Sequence, residues 1–442
     1  MDKAREAALK IMTAVHQQGA YANVALAKEL RHGQLSDMDR RFVTELVYGA
    51  VKAGGTLDWI IKKYLTRPWN KVNPLVQEIL RLGTYQLRYM DKVPASAACN
   101  ESVELAKKFT NLGAAKFVNG VLRTMVREPE KGNFPQGKGN ATLQLALSQQ
   151  HPEWLVRRWI KEFGYEEAEK LCQFDNQQAP LTVRTNTLKT SPSELFLQLT
   201  SLGVEATRSQ LVDEGYVLEN YGSLDNLAPL QDGYCQVQDE SSMLVAHVVE
   251  PQPGELVLDV CSAPGGKTTH MAALMENRGR IVACDIYDHK LQRVMENAAR
   301  LGINIIDPML KDAREIHQDF PQQADRVLVD APCSGLGVLR RKPDSRWRKT
   351  QQLLKELPEL QLEILKSGAA CVKPGGILVY STCTIAREEN QAVVEKFLKD
   401  NAEFQLEHTG SRLPVPREDA MVQLYPQRDG TDGFFIACMR RK

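Results

Sequence analysis

The sequence of 442 residues lacks several features that define common protein classes. No stretch approaches the roughly 18 consecutive apolar residues of a membrane span. The charged start at 1–6 passes directly into a helical pattern, so we expect no signal peptide. No two cysteines show C-x-x-C spacing, which argues against a zinc site and against a disulfide framework. These absences favour a protein of the reducing cytoplasm that binds neither metal nor membrane, and we expect a monomer.

Net charge is also nearly absent, at +1, but its distribution along the chain is uneven. Residues 1–140 contain 22 Lys and Arg against 13 Asp and Glu, whereas the remainder contains 34 against 42. A cationic segment favours binding to a polyanion, because phosphate contacts supply most of the sequence-independent affinity for nucleic acid. A solvated helical surface with surplus Lys and Arg is the alternative interpretation.

The first 127 residues predict an almost entirely helical domain. Apolar residues recur at helical spacing in the stretches 7–15, 42–51 and 75–82. Ser36 and Asp39 have capping-box spacing just before the second stretch. The segment 128–140 shows neither helical nor strand periodicity and indicates a linker. We therefore expect a helical domain over 1–140.

Two further domains are expected beyond this linker. Helical patterns and a strand at 181–185 predict a small α+β domain over 141–235. From 236 to 442 the pattern alternates between strand and helix, which is typical of a mostly parallel sheet covered on both faces. The expected fold of this last domain is Rossmann-like α/β with seven strands.

The segment 258–269 (LDVCSAPGGKTT) has the pattern of a strand, a tight glycine turn and a helix start. Glycines let the backbone approach a ligand, and free N–H groups at a helix N-terminus favour an anionic or carboxylate group. A P-loop would need glycine where Cys261 stands, and the G-x-G-x-x-G dinucleotide fingerprint is absent. Asp285 and Asp312 follow at positions suited to a ribose and an adenine amine. The set fits S-adenosylmethionine better than a dinucleotide.

Two cysteines stand just beyond predicted strands, Cys333 in Asp-Ala-Pro-Cys and Cys383 in Ser-Thr-Cys. The C5 carbon of a pyrimidine accepts a methyl group only after a nucleophile has added to C6, and a thiolate is suited to that addition. A second group must then help the thiolate leave. From the residues alone, either cysteine can be the attacking group, and a lone cysteine is more often a small buried hydrophobe.

The segments 259–268, 330–334 and 381–384 resemble the signature blocks of the RNA 5-methylcytosine methyltransferases. Asp39–Phe42 and Leu46–Gly49 resemble a NusB-type RNA-binding domain, a combination found in the bacterial branch that modifies small-subunit (16S) ribosomal RNA. The resemblance covers essentially the whole chain. It implies methylation of C5 of a specific cytosine through a covalent bond between cysteine and C6.

The resemblance also implies residue roles. Cys383 would be the nucleophile and Cys333 would assist release, while Lys267 and Asp330 would contact the cosubstrate and the target base. The implied S-adenosylmethionine site consists of Cys261, Ser262, Ala263, Pro264, Gly265, Gly266, Lys267, Asp285, Asp312 and Asp330.

The segment 339–349 (LRRKPDSRWRK) follows the Cys333 loop and places six basic residues around Trp347. Charge beside a stacking surface suits a single-stranded RNA with an unstacked base, and a solvated helix entry is the alternative.

Three other functions compete with RNA cytosine methylation. Methylation of an exocyclic amine needs an aromatic residue where Cys333 stands, and a zinc deaminase needs cysteine where Leu336 stands. An RNA-binding assembly or antitermination factor with a non-catalytic methyltransferase fold leaves the two cysteines without a purpose.

Overall fold

The computed structural model describes residues 2–32 and 35–442 and divides the chain into two compact units. The first unit contains Met1–Asn176 together with Lys342–Lys349, and the second contains Gln177–Arg341 and Thr350–Lys442. Among the described residues, no helix combines the length and the apolar character needed to cross a bilayer.

The first unit is built from helices, as the apolar periodicity predicts. Its nine helices in the described part of the chain are α1 (Lys3–Gln17), α2 (Ala22–His32), α3 (Asp37–Lys62), α4 (Pro74–Tyr89), α5 (Ala95–Phe109), α6 (Leu112–Arg127), α7 (Ala141–Ser148), α8 (Glu153–Phe163) and α9 (Tyr165–Asn176).

The long helix α3 shows how local sequence sets an element of this unit. Ser36 is its N-cap, and the Ser36 side chain accepts a hydrogen bond from the backbone N–H of Asp39, as the spacing of the two residues suggests. Leu46, Ala50 and Leu57 are completely buried along one stripe. They join the core that α1, α4, α5 and α6 also line, so the helix is held chiefly by burial of this face.

The second unit begins with a small four-stranded antiparallel sheet in the order β2-β3-β1-β4. Leu195 and Leu199 of the helix α10 are fully buried in the small core of this region. The elements are β1 (Leu181–Thr185), α10 (Pro192–Ser201), β2 (Glu205–Arg208), β3 (Gly215–Glu219), α11 (Ala228–Gln231) and β4 (Cys235–Val237). A mixed α+β region is therefore present, and the boundaries 141–235 remain a prediction.

A larger sheet fills the rest of the second unit, with a path of seven strands in the order β10-β12-β9-β8-β5-β6-β7. Its elements are α12 (Glu240–Val249), β5 (Leu256–Asp259), α13 (Gly266–Leu274), β6 (Arg280–Asp285), α14 (Asp288–Leu301), β7 (Ile306–Leu310), β8 (Ala324–Asp330), α15 (Leu353–Cys371), β9 (Val372–Thr382), α16 (Gln391–Asp400), β10 (Phe404–Leu406), β11 (Val422–Leu424), α17 (Pro426–Asp429) and β12 (Phe434–Arg441). Five neighbouring strands of this path, β9, β8, β5, β6 and β7, run parallel to one another. Strand β12 is antiparallel to both of its neighbours in the path, β9 and β10. An eighth strand, β11, pairs with β12 outside the path.

Both faces of the larger sheet are covered, as the strand–helix alternation predicts. Neighbouring residues of a strand contribute to different cores: Val257 and Val379 belong to one, Leu258 and Leu378 to the other. Burial of both faces explains why these strands are continuous apolar runs. The arrangement confirms the expected Rossmann-like fold, and it gathers the carboxyl ends of β5, β6, β8 and β9 at one edge.

Candidate active site

The glycine turn after β5 is held by a buried carboxylate at the end of the strand. Asp259 is 1% exposed and accepts a hydrogen bond of 2.7 Å from the hydroxyl of Thr268 in the first turn of α13. Burial raises the pKa of Asp259 to about 7. Gly265, at φ +97°, is the N-cap of α13, and a Cβ there would lie 3.1 Å from a Val294 methyl. Glycine therefore satisfies both the backbone angle and the close packing.

The predicted residues 261–266 form this turn and the start of α13, and the turn is fixed to the neighbouring strand. The backbone N–H and the hydroxyl of Ser262 both donate to the carbonyl of Cys284, at 2.9 and 3.1 Å. Burial raises the pKa of the Cys261 thiol well above its ordinary value. Cys261 is therefore a neutral lining residue rather than a nucleophile.

Asp285 and Asp312 follow the adjacent strands β6 and β7. The Asp285 side chain is 10% exposed; one of its oxygens accepts from the backbone N–H of Tyr287 at 3.0 Å. Its other oxygen has no hydrogen-bond partner within the described part of the chain. Asp312 caps a 3-10 turn and binds the guanidinium of Arg314, which lowers its pKa. Its carboxylate is thus already occupied, so contact with an adenine amine requires that pair to rearrange.

Lys267 and Asp330 form a partly buried ion pair beside the glycine turn. The ammonium of Lys267 donates to one Asp330 oxygen at 2.7 Å, and the hydroxyl of Ser381 donates to the other at 2.8 Å. Burial alone would lower the pKa of Lys267, but Asp330 outweighs burial, with a further contribution from Cys383, so the pKa is raised. The ammonium also lies 5.0 Å from the ring centroid of Phe434. Lys267 therefore remains charged in the folded protein.

The two cysteines predicted to carry the chemistry meet at the ends of adjacent strands. Asp330 of β8 is paired with Ser381 of β9, so the loops that follow these residues leave the sheet side by side. The sulfur of Cys333 lies 3.4 Å from that of Cys383, and both residues are partly buried. The contact with Cys383 and burial raise the pKa of Cys333 well above its ordinary value. Cys333 is therefore held as a neutral thiol.

Glu389, which the sequence interpretation missed, connects the two cysteine loops. It is completely buried and accepts from the backbone N–H of Ser334 at 2.7 Å and from the amide of Gln361 at 2.9 Å. Its other oxygen accepts from the hydroxyls of Ser334 and Thr384. Because Ser334 follows Cys333 and Thr384 follows Cys383, one carboxylate fixes the distance between the two sulfur atoms.

Asn390 holds the Cys383 loop from its other side. Its amide donates to the carbonyl of Thr384 at 2.9 Å, and its oxygen accepts from the hydroxyl of Thr382 at 2.6 Å. The residues on both sides of Cys383 are thus bonded to one buried side chain. The sequence does contain a local sign of this role, the acid–amide pair Glu389–Asn390 shortly after Cys383. Its meaning is recognisable only once the structure is known.

Arg184 of β1 is another residue that the sequence interpretation missed. It is 1% exposed, and its guanidinium donates to the carbonyl of Gly266 at 2.8 Å and reaches the Thr269 hydroxyl at 3.2 Å. Burial lowers the pKa of Arg184 to about 9. The small sheet therefore contacts the first turn of the helix that closes the glycine turn.

Glu214, His247 and His270 lie close to this arginine, and their ligand atoms fall within 4.8 Å of one another. The Nε2 atoms of His247 and His270 lie 2.7 and 3.0 Å from the same Glu214 oxygen. Burial would raise the pKa of Glu214, but the two imidazoles outweigh it and lower the pKa. The charge of Arg184 also acts on this carboxylate, so we interpret the cluster as a buried polar network that is already compensated in charge.

Two residues of the basic segment 339–349 are not free for the RNA contact expected from its composition. Arg346 is completely buried and donates to the backbone carbonyls of Gln150 and Asp175 in the first unit. The indole of Trp347 donates to the carbonyl of Lys52 at 2.9 Å, and its ring leaves no space for a Cβ at Gly55. The expectation is wrong for Arg346 and Trp347, because backbone carbonyls of the same unit already accept hydrogen bonds from their N–H groups. Composition alone does not show that these donors are in use.

Three family models match the chain in consecutive segments. The NusB family model matches residues 2–127, the model described as "Methyltr_RsmF/B-like, ferredoxin-like domain" matches 151–225, and that described as "16S rRNA methyltransferase RsmB/F" matches 246–440. The segments correspond to the helical region, the helices and small sheet that follow, and the larger sheet.

Similarity to curated and solved proteins extends over the full length. The chain is 41% identical to the probable ribosomal RNA small subunit methyltransferase B of Bacillus subtilis, covering 99% of this chain and 98% of that protein. The crystal structure of PH0851 matches with a TM-score of 0.85 at 28% identity, covering 100% and 99%. The crystal structure of NSun6 from Pyrococcus horikoshii with SFG matches with a TM-score of 0.59 at 26% identity, covering 66% and 98%.

Proposed function

We propose, from the premise that this chain belongs to the 16S rRNA methyltransferase RsmB/F family, that it methylates C5 of a cytosine in small-subunit ribosomal RNA. The observation that carries this proposal is the contact of 3.4 Å between the Cys333 and Cys383 sulfurs beside the Lys267–Asp330 pair. Two sulfur atoms at the carboxyl edge of a methyltransferase sheet match a reaction that needs one group for attack and one for release.

S-adenosylmethionine is the proposed methyl donor, since the turn at 261–266 and Asp285 suit its adenosine and methionine parts. When bound, it supplies a methyl group on a positively charged sulfur. Gly266 is the first residue of α13, and a Cβ there would make an ordinary contact with the Gln238 side chain at 3.8 Å. The N-terminus of α13 favours a carboxylate there. SFG is present in the related NSun6 structure.

Cys383 is the proposed nucleophile. Its thiolate forms a bond to C6 of the cytosine, which moves electron density to C5 so that C5 can accept the methyl group. The charged Lys267 and the Asp330 carboxylate are positioned to orient the base edge and to balance the charge that develops on the ring. The methylated adduct still carries the original hydrogen on C5.

Cys333 is the proposed partner in release. After its own proton has left to solvent, the Cys333 thiolate takes the proton from C5, the C5–C6 double bond re-forms, and the Cys383–C6 bond breaks with its electrons returning to the Cys383 sulfur. Cys333 lies near enough to Cys383 to serve this step, and because its pKa is raised, its thiolate is a strong base once it forms.

The roles are separated by replacing each sulfur. Cys383→Ala should give neither product nor covalent adduct, whereas Cys333→Ala should accumulate an RNA–protein adduct that survives on a denaturing gel. Cys371→Ala, at a buried cysteine at the C-terminal end of α15, serves as the control and should methylate normally. Near-normal methylation by Cys383→Ala would exclude Cys383 as the nucleophile.

The substrate is tested by bisulfite sequencing of total RNA from cells with and without the gene. The proposal expects one or a few small-subunit cytosines to lose protection in the deletion strain. Unchanged protection throughout the RNA, together with tight RNA binding by the purified protein, would instead favour a non-catalytic assembly factor.

A further inference from the structure

The sulfur atoms of Cys333 and Cys383 are close enough to react with each other. They lie 3.4 Å apart, so an approach of about 1.3 Å would bring them to the S–S bond length of about 2.05 Å. Both residues are only partly buried, whereas six of the other cysteines are buried. The pair therefore has both a sulfur partner within reach and access for a small solute.

The surrounding contacts hold the two cysteine loops in this relation. Glu389 accepts from the backbone N–H of Ser334 on one loop and from the hydroxyl of Thr384 on the other. The backbone N–H of Gly337 donates to the carbonyl of Cys383 at 3.1 Å, which joins the two loops directly. Because these contacts already fix the loops, a bond between the sulfurs requires little further ordering of the chain.

The two sulfurs differ in their readiness to be oxidised. Against the effect of burial, the pKa of Lys267 is raised by Asp330 and further by Cys383, so the Lys267 ammonium in turn favours a thiolate at Cys383. A thiolate is the form of cysteine that peroxides oxidise. The contact with Cys383 and burial raise the pKa of Cys333, which keeps Cys333 as a thiol. Cys383 is thus the expected site of first oxidation, and Cys333 the thiol that reacts with the product.

We propose that Cys333 and Cys383 form a reversible disulfide on exposure to a peroxide, and that this disulfide switches off methylation. The Cys383 thiolate attacks one peroxide oxygen, the O–O bond breaks, and the departing hydroxide takes up the proton that the thiolate had released. The Cys333 sulfur then attacks the Cys383 sulfenic acid, whose S–O bond breaks, and that hydroxide leaves as water with the Cys333 proton. Two thiols are oxidised to one disulfide while one hydrogen peroxide is reduced to two waters.

A disulfide stops the reaction because the Cys383 sulfur can no longer bond to C6 of a base. This consequence for activity rests on the proposed function, whereas formation of the disulfide does not. A dithiol such as dithiothreitol reverses the change, since it becomes a cyclic disulfide while both cysteines return to thiols. The protein is therefore active when the pair is reduced and inactive when it is oxidised.

The test exposes the full-length protein to a small molar excess of hydrogen peroxide. Digestion without reduction, followed by mass spectrometry, should reveal two peptides joined through Cys333 and Cys383, with two hydrogen atoms fewer than the separate peptides. Methylation of protein-free 16S ribosomal RNA, taken from a strain that lacks the gene, should fall in proportion to the yield of this linked pair. Complete linkage should abolish methylation, and dithiothreitol should restore it.

Two variants separate the disulfide from general oxidation. Cys371→Ala is the matched control, because burial raises the pKa of Cys371 to about 12 and the residue lies outside both loops. It should form the linked pair and lose activity at the same peroxide concentration as the wild type. Cys333→Ala should form no linked pair, and its Cys383 should accumulate first as a sulfenic acid that dimedone traps and then as a sulfinic acid that dithiothreitol does not reverse.

Inactivation of the wild type through sulfinic acid at Cys383, without a linked pair, would overturn the inference. Methylation at the full rate by completely linked protein would overturn it as well. Failure of the proposed function has a different signature, the absence of methylated product and of adduct in the reduced wild-type protein. Mass spectrometry detects the linked pair in either case, because that measurement does not depend on activity.

Discussion

Replacement of Glu389 should destabilise the second unit and separate the two cysteines. Its carboxylate accepts four hydrogen bonds, from the Ser334 backbone, the Ser334 and Thr384 hydroxyls and the Gln361 amide. In Glu389→Gln the remaining amide oxygen can keep the Ser334 N–H and the Gln361 amide, while the two hydroxyls rotate to accept from the new NH₂ group. The loss is then mainly of charge assistance, about 1–2 kcal/mol of unfolding free energy.

Glu389→Ala removes every acceptor and leaves two buried N–H groups unsatisfied. At about 1–3 kcal/mol for each stranded donor, and with the cavity left by the missing side chain, the expected loss is about 4 kcal/mol. Neither value is reduced by solvent screening, because the side chain is completely buried. Glu388→Gln, at the exposed neighbouring position, is the matched control and should stay within about 0.5 kcal/mol of the wild type.

Urea-induced unfolding measures the stability of the three variants, and adduct yield in a Cys333→Ala background measures the alignment of Cys383. We expect Glu389→Gln to lower the methylation rate by at least 10-fold with little change in the KM for S-adenosylmethionine, since misplacement of reacting groups costs rate rather than binding. If both Glu389 variants had the same unfolding free energy and the same methylation rate as Glu388→Gln, the Glu389 carboxylate would not be the group that holds the cysteine loops in place.

Three more predictions follow from buried charges in the second unit. Arg184→Leu removes the donor to the Gly266 carbonyl and should raise the KM for S-adenosylmethionine about 10-fold while the Kd for RNA stays unchanged. Arg184→Lys should restore part of the loss, and an equal rise in the KM and in the Kd for RNA would contradict a role at the glycine turn. The pKa of Asp259 is raised to about 7, so between about pH 4 and 7 the folded state keeps a proton that the unfolded chain has released, and the free energy of unfolding should fall as pH rises through this range. Urea unfolding should show a weaker dependence of this free energy on pH for Asp259→Asn. Burial lowers the pKa of His270 to about 3, so its contribution to stability should be lost as pH falls below about 6.5. If the unfolding free energy of His270→Gln fell with pH below about 6.5 as steeply as that of the wild type, this assignment would be wrong.

The sequence was most informative where a function depends on residues close together in the chain. The turn at 259–268 and the cysteines that follow Asp330 and Thr382 are local patterns, each at the carboxyl end of an apolar strand. Strand–helix alternation also predicted the parallel part of the larger sheet. The antiparallel insertion of β12 between β9 and β10 left no such signal, because strand order depends on pairing between distant segments.

Composition was misleading where polar side chains are buried by distant parts of the chain. Arg346 and Trp347 look like an RNA-binding pair, yet carbonyls of residues 52, 150 and 175 accept their hydrogen bonds. Glu389 stands beside an exposed glutamate and is indistinguishable from it in sequence, yet Glu389 is buried and bonds to both cysteine loops. Burial decides such roles, and burial is a tertiary property.

The sequence by itself therefore determined the classes of the elements, the position of the glycine turn and the pair of cysteines, because each depends on local spacing or on the period of apolar residues. Only the tertiary structure decided that the two sulfur atoms touch, that Asp330 is paired with Lys267, and that Arg184 and Glu389 support the site. A hydrogen bond forms over about 3 Å, and which distant groups come within that distance is set by how strands pair and how buried polar groups satisfy one another.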